Sequence, residues 1–213
     1  MHISSLLPLF AAGAAYAQAT SRCTTTITRT TSVPTSTKGS AAGPPSTLLP
    51  SYAWIRAVET PNYHSYLQSS PPLATAGAIL GPNTSAGQFK LVAGQLEYAQ
   101  DASGSKVLYA SVGTPASASA TILPVSFSSQ PGAHGTFAYS GDTLQWTTSE
   151  YKRPNPGAWL VCANHSLFIN LGNYGYQTPT GCNDATLTTA CSDRAVVNMP
   201  EQIHSYGNSI ADV

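Results

Sequence analysis

The chain of 213 residues sets nine Lys and Arg against nine Asp and Glu, and charged side chains make up only 8% of it. Soluble proteins usually carry about 25%, so solubility here falls to hydroxyls, amides and attached sugar. Zero net charge leaves no basic footprint for nucleic acid or for an anionic membrane surface, so neither is expected as a partner.

Met1 and His2 precede an apolar run, Ile3 to Phe10, that passes through small residues to Ala15-Tyr16-Ala17. A short hydrophobic region closed by an A-x-A pattern reads as a secretory signal peptide over residues 1–17, with Gln18 as the mature N-terminus. A bilayer-spanning helix needs ~20 apolar residues, and Gln18 onward is polar. No later stretch reads as a span, so the expected location is secreted, with no membrane attachment after cleavage.

Residues 18–50 read as a disordered Ser/Thr/Pro-rich tail. The segment from Thr24 to Thr37 has no apolar period and cannot bury enough surface to offset its ordering entropy. Its composition is that of an O-glycosylated stalk.

From Tyr52 the texture changes to short β-prone runs separated by Gly, Pro, Asn and Ser. The runs are 52–58, 63–67, 78–80, 88–92, 95–98, 106–112, 122–127, 136–139, 143–146, 159–162, 167–171 and 185–189. Such spacing predicts a single all-β domain over 51–192, a small antiparallel β-barrel or sandwich, with a β-trefoil-like arrangement among the closed forms. Closure is favoured, because an open sheet needs protected edges and this chain has few Lys to blunt them. Residues 193–213 read as a C-terminal extension, where Ser192 or Asp193 caps a short helical turn ended by Pro200.

Four cysteines, Cys23, Cys162, Cys182 and Cys191, remain after cleavage. An even count in an exported protein favours disulfides, with three connectivities open. No C-x-x-C knuckle is present, and the scattered His64, His134, His165 and His204 have no metal-ligand spacing, so no metal or cofactor is expected. Alternation along 63–67 places His64 on the strand face opposite Tyr63. Two N-x-[ST] sequons, at Asn83 and Asn164, fall in turns and are expected glycosylation sites.

No catalytic residue stands out. Sugar hydrolases need two carboxylates ~5–9.5 Å apart, and the acids of this domain sit mostly in turns or near the C-terminus. There is no G-x-S-x-G elbow. Aromatics give the positive hint, because a sugar's apolar face stacks on a ring while its hydroxyls bond to polar neighbours. The run Asn170-Leu171-Gly172-Asn173-Tyr174-Gly175-Tyr176-Gln177 makes Tyr174, Tyr176 and Asn173 the candidate glycan-binding residues. Trp54, Trp146 and Trp159 lie inside apolar runs and read as core.

The C-terminal half carries Phe137-Ala138-Tyr139-Ser140-Gly141-Asp142-Thr143-Leu144, then Gly157-Ala158-Trp159-Leu160-Val161-Cys162, Leu171-Gly172 and Pro179-Thr180-Gly181-Cys182. Together with Tyr52-Ala53-Trp54-Ile55-Arg56-Ala57 and Phe89-Lys90-Leu91, this resembles the small secreted fungal cell-wall proteins related to PhiA, which serve phialide and conidium development. The resemblance spans about residues 50–190. It implies a wall or extracellular location, an all-β domain, no enzymatic activity, and a family disulfide between Cys162 and Cys182. Cys23 and Cys191 lie outside it and either pair with each other or serve as intermolecular thiols. The expected function is a non-enzymatic structural or glycan-binding role in wall organisation, with cell-wall polysaccharide as the partner. A secreted effector or allergen-like protein is the second reading, and a carbohydrate-active hydrolase the third.

Overall fold

The computed structural model describes residues 47–117 and 119–191. The expected signal peptide, the expected tail up to residue 46 with Cys23, and the expected C-terminal extension with its helical turn lie outside the described residues.

Thirteen strands form: β1 Trp54–Ala57, β2 Tyr66–Ser69, β3 Ala78–Gly81, β4 Phe89–Val92, β5 Gln95–Ala99, β6 Val107–Val112, β7 Ile122–Ser128, β8 Thr136–Ser140, β9 Thr143–Thr147, β10 Trp159–Val161, β11 Leu167–Asn170, β12 Asn183–Ala185 and β13 Leu187–Ala190. The last expected run divides at Thr186 into two strands that serve different sheets. Period-two burial is clearest in β6, where Leu108, Ala110 and Val112 turn inward, and in β7, where Leu123, Val125 and Phe127 do. Turn chemistry sets the registers. Ala93 and Gly94, at φ 48° and 80°, close the two-residue β4–β5 hairpin, as a primed turn requires.

Two antiparallel sheets result, ordered β3-β2-β1-β13-β9-β8 and β12-β10-β11-β7-β6-β5-β4. The architecture is a sandwich, and the favoured closure into a barrel does not occur. The four edge strands are only three to five residues long, and one of them, β4, carries Lys90. Isolated bridges join Ala53 to Phe89, Gly77 to Ser126 and Ile79 to Ser166, tying one sheet to the other at the corners.

One continuous core lies between the sheets. Ile55, Leu67, Leu144 and Trp146 from the first meet Leu96, Phe127, Trp159 and Ile169 from the second. Trp146 and Trp159 are fully buried, and their ring N–H groups donate to the carbonyls of His134 at 3.2 Å and Leu144 at 3.1 Å. A buried indole donor left unbonded would cost about 1–3 kcal/mol, so these two bonds are what make tryptophan admissible here. A second, smaller cluster of Trp54, Tyr66, Ala86 and Ala190 lies apart from this core and is covered by Leu48. Thr47 and Leu49 are held to the domain through both ends of the buried Gln88 amide.

The pairing Trp54–Ala190 sets the start of β1 beside the end of β13, so both chain ends leave from one end of the sandwich. The disulfide between Cys162 and Cys182 lies at this terminal end, and Cys191 is also disulfide-bonded. At the opposite end the connections after β1, β9 and β11 gather, beside the Ala93–Gly94 turn, whose Gly94 carbonyl accepts from Phe137 N–H at 2.8 Å.

Arg153, in the β9–β10 connection, clasps the sheets at this loop end. Its guanidinium donates to the carbonyls of Trp146, Pro156 (2.8 Å), Ala158 and Asn170 (3.1 Å), and lies 5.6 Å over the Trp146 ring. Burial lowers its pKa to about 10, which at neutral pH still leaves the cation intact. Replacing Arg153 with Met keeps the apolar stem but removes every donor. Arg153→Met is expected to cost about 2–4 kcal/mol, read as a fall in urea midpoint at unchanged slope. Arg153→Lys recovers only part of it, because a point ammonium cannot reach four fixed carbonyls.

Candidate glycan-binding end

The connection from β1 to β2 folds back on itself. Val58 N–H donates to Thr186 O at 3.2 Å, His64 N–H to Ala57 O at 3.1 Å and Ser65 N–H to Asn62 O at 2.9 Å. His64 takes the left-handed conformation, φ 60°, so residues 63–65 form a turn and the strand begins only at Tyr66. This corrects the expectation that Tyr63 and His64 face opposite ways. Their rings stack with centroids 4.0 Å apart and planes inclined by 20°.

Arg56 Nη1 donates to His64 Nε2 at 3.1 Å. A guanidinium cannot accept, so Nε2 is the unprotonated nitrogen. Burial first, and the Arg56 charge second, hold the imidazole below its ordinary pKa. The ring is therefore a neutral plate backing Tyr63, which is 57% exposed.

The connection leaving β11 is pinned along its length. Gly172 N–H donates to Asn170 Oδ1 at 2.7 Å, and the buried Asn170 amide donates in turn to Asp184 Oδ1 at 2.9 Å. Thr178 Oγ1 bonds to the other oxygen of Asp184. Between these points the Tyr174 hydroxyl donates to Glu59 Oε2, while Thr186 Oγ1 donates to Glu59 Oε1 at 2.9 Å. Asn173 O accepts from the N–H groups of Tyr176 and Gln177, making a tight turn. Tyr174 is thus a half-buried strut, and Tyr176 is the ring held out, 85% exposed. Asn173 is exposed beside it.

Glu59 joins the two loops. It lies four residues from Tyr63 and bonds a tyrosine two residues from Tyr176, so the two loops that carry the exposed rings are tied together. Sequence reasoning named Tyr174, Tyr176 and Asn173 but missed Tyr63, which looked like a strand residue, and Glu59, which had no local signature. The only legible signal was turn chemistry, the Thr60-Pro61-Asn62 run just before Tyr63.

At the same end, beside the β8–β9 edge, an open depression of about 410 Å³ is lined by Ala133, Gly135, Thr136, Thr147, Thr148, Ser149 and Glu150. Glu150 Oε1 lies 3.1 Å from His134 Nδ1. A Cβ on Gly135 would sit 2.4 Å from Thr147 O and 2.6 Å from the Trp146 ring, so only glycine leaves this floor intact.

The other carboxylates of the described residues have structural partners or turn positions. Glu97 pairs with Lys90 at 3.2 Å, and Asp142 lies in the β8–β9 turn. Asp101 is held at about pKa 2, first by the Ser103 hydroxyl and then by Ser105. Among the described residues no group of His, Cys, Asp and Glu is arranged to hold a metal ion, and no helix is long and apolar enough to cross a membrane. Of the two sequons, Asn164 is exposed at φ 57° in the turn between β10 and β11, at the terminal end, and Asn83 is half-buried in the 3-10 turn after β3.

Residues 58–191 match a family model described as a domain of unknown function, DUF7907. The match covers more than half of the chain, which belongs to that family. No curated protein and no solved structure gives a significant match.

Removing the pin tests the loop's construction. Glu59→Gln, or Tyr174→Phe, is expected to speed amide exchange across residues 172–177 by about tenfold, with global stability falling by less than ~1.5 kcal/mol. Exchange unchanged in both variants would mean that Glu59 does not hold this loop.

Proposed function

We propose that this DUF7907 member is an exported, non-enzymatic protein of the fungal wall or its surroundings, and that its loop end binds carbohydrate. The observation that carries the reading is the pair of exposed tyrosines, Tyr63 and Tyr176, on loops bonded to each other and to the sheets through Glu59, Thr186 and Asp184. A sugar's C–H face stacks on such rings, and a loop fixed before binding loses little entropy when the ligand arrives. Asn173 and Gln177, both exposed beside Tyr176, supply amides with both donors and acceptors.

Export is supported by the signal-like residues 1–17 and by the disulfide chemistry of Cys162, Cys182 and Cys191, which suits an oxidising compartment. The resemblance to the PhiA-related wall proteins points to the same location. A glycan at Asn164 would project from the terminal end and leave the tyrosines uncovered.

The test is retention of the mature protein, secreted from a eukaryotic host, on insoluble chitin, β-glucan and mannan. Retention on at least one is expected, and the Tyr63→Ala/Tyr176→Ala double variant should bind about tenfold more weakly or worse. N-glycosidase treatment of the same preparation should raise its gel mobility. No retention on any of the three, or a double variant that binds like the parent, would overturn the carbohydrate reading.

A further inference from the structure

We infer that the ligand is an extended neutral polysaccharide segment, running from the Tyr63–His64 pair across the outer face of the first sheet into the depression beside Glu150. This rests on the carbohydrate-binding reading above and specifies its ligand.

The path follows from register. Arg56 pairs with Thr188, Thr188 with Thr143, and Thr147 with Thr136. Their strand neighbours Ile55, Leu187, Leu144, Trp146 and Phe137 belong to the core, so alternation turns Arg56, Thr188, Thr143, Gln145, Thr147 and Thr136 outward. Leu48 covers the apolar part of this face around Trp54, Tyr66 and Ala190, and the hydroxyl-rich part begins where that cover ends. Four threonines and an amide present both donors and acceptors along the face, with Arg56 as the one cation, a donor only, and no acid. That is the complement of a chain of uncharged hydroxylated rings. It is a poor surface for an apolar or a polyanionic partner.

Each end of the path is distinct. At one, Arg56 bonds the His64 ring that backs Tyr63. At the other, Thr136 and Thr147, whose hydroxyls lie 3.3 Å apart, form part of the depression whose far rim is Ser149 and Glu150. Its volume of about 410 Å³ is within the range of small-ligand sites. Two to three strand spacings across and four residues along β9 separate the two ends, roughly 15–20 Å. A single sugar ring cannot touch both; a short oligomer can. Linking the two contacts in one chain then raises affinity with length.

The experiment is calorimetric titration of the full mature chain with N-acetylglucosamine, β-glucose and mannose oligomers of two and six units. For the polysaccharide class retained in the bead assay, the hexamer should bind at least about tenfold tighter than the dimer. Ser149→Trp, which fills the depression, and Glu150→Gln, which removes its carboxylate, should each weaken hexamer binding by about tenfold while dimer binding stays within about twofold. Thr188→Val tests the middle of the path with the same expected pattern. If binding needs Tyr63 and Tyr176 but the hexamer is no tighter than the dimer, or Ser149→Trp and Glu150→Gln match the parent, the path is wrong and the tyrosine site stands alone. If no oligomer binds and the beads retain nothing, both readings fall together.

Discussion

The loop end of this domain depends on one cation with four backbone acceptors. Arg153 takes the carbonyls of Trp146 at the end of β9, Ala158 just before β10 and Asn170 at the end of β11, together with Pro156 in its own connection. β9 belongs to one sheet, and β10 and β11 to the other, so the guanidinium fixes how the two sheets meet. Arginine suits this role because its donors are spread around a rigid plane and it stays charged even when burial lowers its pKa. The same carbonyl of Asn170 stands at the root of the tyrosine loop, while the buried Trp146 ring lies beneath Gly135, which lines the depression on the other side. Geometry set at Arg153 is therefore felt by both surfaces proposed to touch sugar.

Scarcity of charge makes sense in that setting. A domain with so few charged side chains relies on hydroxyls and amides to hold its loops, and the hydrogen bonds of Glu59, Asp184, Asn170 and Gln88 are of that kind. Glu59 and Asp184 work as acceptors for neutral donors instead of as halves of salt bridges. The surface left over is rich in the same groups, and it is well matched to a polyhydroxylated ligand and poorly matched to a charged one.

Strand positions were legible in the sequence because short β-branched and aromatic runs between turn residues have few other uses. All twelve expected runs contain a strand, and the last contributes to two. Tryptophan burial was legible for the same reason. Closure was not, since it depends on whether edge strands find partners, and the three corner bridges that stitch Ala53, Gly77 and Ile79 across the sheets have no local signature. Tyr63 was misread because His64 enters the left-handed region without a glycine to announce it. Tyr176 was found from composition, yet the division of labour between a bonded Tyr174 and a free-standing Tyr176 turns on Glu59, 115 residues away from Tyr174. Long-range partners of that sort are set by topology, which periodicity does not encode.

The pairing of Trp54 with Ala190 has a mechanical side. β1 and β13 are antiparallel neighbours whose outer ends emerge together, so a pull that separates them loads their hydrogen bonds one pair after another, and the disulfide at Cys191, the residue after β13, lies in the path of that pull. A load applied between the chain ends and the loop end runs along the strands instead and must break several bonds at once. If the loop end grips a polymer as proposed while the chain ends are held, the load falls along the stiff direction.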